Sequence, residues 1–586
     1  MKKARKGNLI IGKLEGIRVR HVALLFTIIG IVVFASGLMR PFQNDDAPQI
    51  VDNQIVHSFG NISKFFAGST FYDGEKLSGI YYRPLMTTTY SLIYSVSGAQ
   101  PTAYHLVQLA LHVGTAVLVF LVLTRWLKRP TAFILALIFL IHPLNSQVVL
   151  SIPTMQDALY AFFGMWALWR LIMHGKEKSY WDVAGLLMLS LFSKEAGILF
   201  VIITLLYQWF YRRDELRKFI LTLLAPIALY LAARLSAVGF VPAQHAGPIN
   251  DLTFWQRLLT LPSAFLFYFV QFVWPSQLAL TRYWTHESWS LGGVVVPLLI
   301  DIILIALMVA GFIAVKRRLK KPQAIGYGFF ALWLAIGMAP YLQILPGLDM
   351  TACETWFYVP MIGLLGMIGI TLQLVPWKRV KRQWQTIGLI LLALVIVALG
   401  ARSVMRGFDY SSQTNLAYVD LTVEADNYAA LNNISQSYLD KGDYEKGIEY
   451  AKRSIDRFPV SSNYVNLGAG LQLLHQYPQA LAAYDKALSY GESSTIYANL
   501  ALIHIVASKP VVASAFFARV LHQYPHDFKL WLYDAVFEGA LGNHDAAKTA
   551  ITTASQYGEV PSGIYTSIMN STPFTLPILD KKVLIL

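Results

Sequence analysis

Asp45 and Asp46 stand side by side in Phe42-Gln43-Asn44-Asp45-Asp46, about six residues beyond an apolar run. Two carboxylates this close repel, so one of them holds its proton more tightly unless a cation compensates. A carboxylate of that kind is suited to removing a proton from an acceptor hydroxyl; the plain alternative is a solvated pair in a loop. Tyr81-Tyr82-Arg83-Pro84-Leu85 follows. Its guanidinium can grip a phosphate through two parallel hydrogen bonds, or simply anchor the chain at a membrane surface. His105 and His112 lie seven apart and share one helix face, where buried hydrogen bonding outweighs metal ligation. His142, Asp157, Lys194, Glu195, Arg234 and Glu354 each fall at the end of an apolar segment. So many ionisable groups at apolar boundaries imply a polar cavity on one side of a membrane.

The elements that carry these residues are membrane spans. Of 586 residues 55% are hydrophobic and 14% charged, and the mean hydropathy is +0.47, which excludes a fully soluble enzyme. Nearly charge-free windows recur from Val22 to about Arg402 and then cease. We count about eleven spans, roughly 22–39, 101–124, 131–149, 156–173, 181–193, 196–210, 219–237, 292–315, 324–341, 356–375 and 385–402. Residues 261–279 form a further apolar stretch, read as interfacial or re-entrant. Basic clusters at Lys2–Arg20, Arg125/Lys128/Arg129, Arg170/Lys176/Lys178, Arg212–Lys218, Lys316–Lys321 and Lys378–Arg382 mark the cytoplasmic side. Much of the +14 net charge sits in such clusters, so it sets topology and does not point to nucleic acid. The alternate loops then face outward, including a first outer loop over 40–100 with an amphipathic stretch from Met86 to Ser97. Cys353 is the single cysteine, so no intramolecular disulfide forms.

The last third changes character. After a basic N-terminus (1–21), the spans (22–402) and a linker (403–426), residues 427–558 repeat with a period of 33 to 34, ahead of a tail over 559–586. Phe458-Pro459, Tyr490-Gly491, Tyr524-Pro525 and Tyr557-Gly558 close four units, and Gly447, Ala480, Ala513 and Ala547 open each second helix. This is the length of a tetratricopeptide repeat, a helical hairpin that buries its apolar face only against its neighbours. The fold class is therefore all-α: a polytopic membrane domain followed by an α-solenoid whose concave face suits an extended partner.

The ordered strings resemble one family, the GT-C glycosyltransferases that use lipid-phosphate-linked sugars, and within it the transmembrane and tetratricopeptide-repeat O-mannosyltransferases and their bacterial relatives. The strings are Asn44-Asp45-Asp46, Tyr82-Arg83-Pro84-Leu85, Tyr104-His105-Leu106-Val107 with Leu111-His112, Ile141-His142-Pro143, Gln156-Asp157, Ser193-Lys194-Glu195, Tyr230-Leu231-Ala232-Ala233-Arg234 and Glu354-Thr355-Trp356-Phe357-Tyr358-Val359-Pro360, then the repeats. The resemblance implies Asp45 or Asp46 as catalytic base, Arg83, Lys194 and Arg234 at the donor phosphate, and His105, His142, Asp157, Glu195 and Glu354 lining the cavity. It implies a sugar, mannose by default, carried on polyprenyl or dolichyl phosphate and passed at the outer face to a Ser or Thr hydroxyl of a protein docked on the repeats. No cofactor is required, because cations stabilise the phosphate leaving group without a metal. Two arginines usual in the family are replaced, one by Met155 and one by Thr355. A GT-C transferase of another sugar to lipid, glycan or cell-wall polymer, and a non-enzymatic envelope scaffold, are the alternatives. The basic N-terminus and lack of disulfides fit a bacterial cytoplasmic membrane, or an endoplasmic reticulum membrane if the source is eukaryotic.

Overall fold

The computed structural model describes residues 16–43, 45–72, 77–174, 179–239, 247–344, 347–377, 379–558 and 560–572; Asn44, Lys176, Lys178, Lys378, the extreme N-terminal basic residues and most of the tail lie outside them. The chain divides into two compact units, 1–70 with 79–423 and 71–78 with 424–586.

Each of the eleven expected span positions in the first unit holds a helix. Six are long and apolar enough to cross a membrane by length and composition: Pro101–Leu123, Arg213–Val238, Leu291–Arg318, Lys321–Tyr341, Glu354–Leu374 and Arg382–Asp409. The bent pair Arg129–Ile141 and Pro143–Leu150 passes the same test as one span, and Val19–Phe34, Trp181–Ser193 and Glu195–Tyr211 are shorter apolar helices. Met155–Met173 completes the set. This unit is a multi-pass membrane domain. Burial separates its layers: 72% of the Glu354–Leu374 window is inside the unit, against 11% for Leu291–Arg318 and for Arg382–Asp409. The last two present Leu, Ile and Val outward, as lipid requires, while their backbone hydrogen bonds close within the helix. The central helix is gripped closely because a Cβ on Gly363 would meet the Leu334 backbone at 2.7 Å and one on Gly366 the Phe330 ring at 2.4 Å.

Several boundaries differ from the sequence reading, for local reasons. The first span stops being helical at Phe34, short of 39. The third breaks by 54° at His142-Pro143, since Pro143 has no N–H to donate and its ring crowds the preceding turn. Residues 403–426 are not a loose linker. The last membrane helix runs on to Asp409, a second helix spans Gln413–Val423, and Ser403, Arg406, Leu416, Ala417 and Asp420 are buried within the first unit. Residues 254–273 form one helix, Phe254–Val273, opened by a Thr253–Gln256 capping box and not apolar enough to count among the crossing helices.

In the second unit four helix pairs follow in the expected register: Tyr428–Asp440 with Tyr444–Arg457, Ser461–Leu473 with Tyr477–Tyr490, Ser494–Ala507 with Pro510–Gln523, and Phe528–Ala540 with His544–Tyr557. Ala480, Ala513 and Ala547 are buried where paired helices cross, so a larger side chain there has no room. The departures from helix pairing among the described residues are a small antiparallel hairpin, Phe71–Tyr72 with Leu77–Ser78, in register Phe71↔Ser78 and Tyr72↔Leu77, and an isolated antiparallel bridge between Arg282 and Ala352.

Candidate active site

The two adjacent carboxylates have different surroundings. Asp46 is 3% exposed; its Oδ2 accepts the Gln43 N–H at 2.7 Å, and its Oδ1 is buried without a hydrogen bond. Desolvation, reinforced by Asp45, pushes its carboxyl up to about 8 against the pull of the Gln43 N–H. Asp45 is open to solvent. Desolvation raises its carboxyl above the ordinary value, Arg83 draws it back and the Asp349 carboxylate raises it again. Side chains of this segment tie it to the end of the last membrane helix, where Gln43 Nε2 donates to the Tyr410 carbonyl at 2.8 Å and Ser36 Oγ to that of Val404 at 3.0 Å.

Arg83 ends the extended backbone ahead of helix Pro84–Ser97, whose first-turn Pro84 has no N–H to leave unpaired. Its guanidinium donates to Glu195 Oε2 at 3.3 Å and Gln156 Oε1 at 2.6 Å, and lies over the Tyr81 ring at 4.1 Å. Glu195 Oε1 accepts the Tyr82 N–H at 3.1 Å, so one carboxylate fixes both the guanidinium and the backbone segment that carries it. One residue earlier, Lys194 Nζ donates to Asp157 Oδ1 at 2.7 Å, with exposures of only 13% and 2% for the two side chains. The Tyr160 and Tyr341 hydroxyls lie in the electrostatic reach of Asp157. Arg234 and Glu195 both act on the Tyr230 hydroxyl, and the Tyr230 ring lies 6.2 Å from that of Tyr82. Among the described residues no hydrogen bond or ion pair of Arg234 occurs.

Asp45, Arg83, Glu195, Lys194, Asp157 and Arg234 thus belong to one connected cluster. The other expected lining residues are placed otherwise. His105 is buried, with Nδ1–H donating to the Val149 carbonyl at 3.2 Å. His142 is fully buried; Nδ1 accepts the Leu144 N–H at 3.2 Å and Nε2–H donates to the Phe272 carbonyl at 3.0 Å, so it caps the helix break. His112 accepts from Tyr358 Oη at 2.7 Å and donates to the Leu140 carbonyl at 2.9 Å. These histidines face hydrogen-bond partners in the packed interior, not open space.

Glu354 is also fully buried, and its Oε1 receives Arg406 at 3.1 Å. Arg406 in turn reaches Asp409 at 3.1 Å. Met155 and Thr355, where the resemblance led us to expect arginines, therefore sit near carboxylates that still have cations: Lys194 serves Asp157 and Arg406 serves Glu354. An unpaired charge at such depth would be costly. Sequence reasoning missed Arg406, Gln156 as a hydrogen-bond partner, and Asp349. The signal for Asp349 was its place between the expected spans 324–341 and 356–375; nothing local distinguished it there. No group of three or more His, Cys, Asp or Glu that could hold a metal ion occurs among the described residues.

No family model matches the chain. It is 22% identical over 536 residues to protein O-mannosyl-transferase TMTC3 of Mus musculus, covering 82% of this chain and 55% of that protein. It is 23% identical over 492 residues to protein O-mannosyl-transferase TMTC4 of Homo sapiens, covering 72% and 64%. The chain is thus similar to protein O-mannosyl-transferases over most of its own length. It spans about half the length of the first curated relatives it matches. Among solved structures, ArnT from Cupriavidus metallidurans bound to undecaprenyl phosphate aligns over 83% of this chain and 81% of its own, with 14% identity and a TM-score of 0.37.

Proposed function

We propose that this protein is a membrane glycosyltransferase that moves a sugar, mannose by the names of its relatives, from a polyprenyl- or dolichyl-phosphate carrier to a Ser or Thr hydroxyl of a protein. Asp45 is the base. It takes the proton of the acceptor hydroxyl, the acceptor oxygen bonds to the anomeric carbon, and the carbon–oxygen bond to the carrier phosphate breaks with its electron pair leaving on the phosphate. Arg83, Lys194 and Arg234 meet the charge that develops there, so the reaction does not require a metal. Displacement from the face opposite the phosphate inverts the anomeric centre. The N-terminus is cytoplasmic and the site and repeats face outward, in a bacterial cytoplasmic membrane or the equivalent lumenal side, with acceptors held by the repeats.

The observation that carries this reading is the asymmetry of the acidic pair: Asp45 is exposed and feels the charge of Arg83, whereas Asp46 is buried and bonded to the loop backbone. The test is mass spectrometry of envelope proteins from cells lacking this protein, complemented with wild type or Asp45→Asn at equal membrane abundance. Hexose additions on Ser or Thr that return only with wild type support the reading. Equal restoration by Asp45→Asn removes Asp45 from catalysis and overturns it.

A further inference from the structure

The repeat unit carries a row of side-chain amides that its own packing does not use up. Asn433, Asn466 and Asn499 recur at an interval of 33 residues, one on the first helix of each of three successive pairs. Each is half-buried. The fourth pair has buried Leu532 and Tyr533 at the equivalent place, so the row ends there. Asn463 shows what a structural asparagine looks like in this unit: it is fully buried, and its Nδ2 donates to Ser454 Oγ at 3.2 Å and to the Phe458 carbonyl at 2.8 Å. The row differs. Asn466 Nδ2 reaches across the seam between two first helices to Asn432 Oδ1 at 2.9 Å and the Asn432 carbonyl at 3.2 Å, while its Oδ1 accepts from no group among the described residues. Among the described residues no hydrogen bond of the Asn433 or Asn499 side chain occurs.

The row lies on the inner layer of the stack. Successive first helices, from Tyr428–Asp440 through Ser461–Leu473 and Ser494–Ala507 to Phe528–Ala540, pack on one another more closely than successive second helices do. The more closely spaced layer is the shorter arc of a curved stack, so the first helices line its concave side. Ser461–Leu473 and Ser494–Ala507 contain no Asp, Glu, Lys or Arg, whereas the second helix Tyr444–Arg457 is dense in both signs. The middle of the concave wall therefore offers a partner hydrogen bonds and apolar contact, and no charge to pair with a phosphate or an acidic motif.

A side-chain amide presents a carbonyl acceptor and N–H donors in one plane, the same complement as a peptide group, so it can pair with a main chain in both senses. Packed helices stand roughly 8–10 Å apart and an extended chain advances about 3.4 Å per residue, so such a row meets about every third peptide group. We propose that Asn433, Asn466 and Asn499 hold an extended stretch of the acceptor polypeptide by its backbone amides, whatever its side chains. Main-chain pairing of this kind gives affinity without sequence preference. That the captured stretch is an acceptor rests on the transfer reading; the mode of capture does not.

The experiment is a fluorescence-anisotropy titration of the full-length protein in lipid nanodiscs. The probes are fluorescein-labelled twelve-residue peptides of Ser, Thr, Gln and Val in several scrambled orders. Wild type should bind all orders alike, and Asn466→Ala and Asn499→Ala should each weaken binding roughly tenfold, the loss of one or two hydrogen bonds. Asn499→Ala removes no bond within the protein, so its repeat unit should melt as the wild-type unit does. Peptides N-methylated along the backbone, with side chains unchanged, should bind at least as weakly as the variants bind the parent peptides; this arm needs no altered protein and stands if a variant misfolds. N-methylated peptides bound as tightly as their parents, unchanged affinity in both folded variants, strong preference for one order, or no binding by wild type overturns the proposal. Sugar transfer from polyprenyl-phosphomannose to the same peptides separates the two readings. Asparagine-dependent capture without wild-type transfer leaves the groove standing and removes the transfer reaction; transfer whose KM for peptide is unmoved in both variants does the reverse.

Discussion

At the scale of single residues the informative contrast is between Asp45 and Asp46. A buried carboxylate that keeps its proton near neutrality is already close to an amide in charge, so Asp46→Asn should reduce sugar transfer far less than Asp45→Asn, which should cost roughly a hundredfold or more. Initial rates of the two purified variants check this. Asp46 also predicts a stability signature. Its carboxyl rises from an ordinary 3.8 to about 8 in the folded protein, so between those values the folded state holds a proton that the unfolded state has released. Wild-type stability should therefore fall as pH rises from about 4 to about 8, and Asp46→Asn should flatten that fall. Melting temperatures of the detergent-solubilised protein across this range decide it; equal slopes for both proteins would mean that Asp46 ionises normally.

At the scale of elements the site depends on how short segments turn. The Glu195–Gly197 turn presses against the preceding helix, and a Cβ on Gly197 would lie 2.6 Å from the Ser190 carbonyl carbon and oxygen. Backbone cannot swing aside as a side-chain tip can. Gly197→Ala should push the turn away, separate Lys194 from Asp157 and Glu195 from Arg83, and lower transfer by on the order of a hundredfold while the protein still inserts in the membrane. A turnover assay with polyprenyl-phosphomannose, alongside a check of membrane abundance, tests this; full activity would show that the turn has slack. The last membrane helix matters in the same way, because its end supplies Arg406 to Glu354 and the Tyr410 carbonyl to the loop that carries Asp45.

At the scale of the whole molecule, the repeat unit has its own core, built from helix pairs that bury Ala480, Tyr484, Ala513, Phe517 and Ala547. An arginine at position 480 would place an unpaired charge in that core. Ala480→Arg should unfold the repeat unit, seen as rapid proteolysis after residue 424, with the membrane unit still resistant. If the repeats hold acceptors, transfer to protein should be lost in this variant while turnover of polyprenyl-phosphomannose with water or a short peptide persists. Loss of both together would mean that the membrane unit needs intact repeats to fold.

By itself the sequence determined what depends on composition and period: eleven helix positions, the register of four repeats, and a set of ionisable residues at apolar ends. These are local or periodic properties, and burial of apolar surface in lipid or between hairpins enforces them wherever the chain goes. It could not separate Asp45 from Asp46, because neighbours in the chain share a composition and differ only in which way each faces. Nor could it show that His105 and His142 are buried in the packed interior with backbone carbonyls as partners, that 403–423 is helical and largely buried, that Arg406 reaches Glu354 from about fifty residues away, or that Asp349 accepts from Tyr81 across 268 residues. Those facts are pairings across the fold, and an ion pair or hydrogen bond between distant segments leaves no mark on the local pattern of either one; only the tertiary structure decides them.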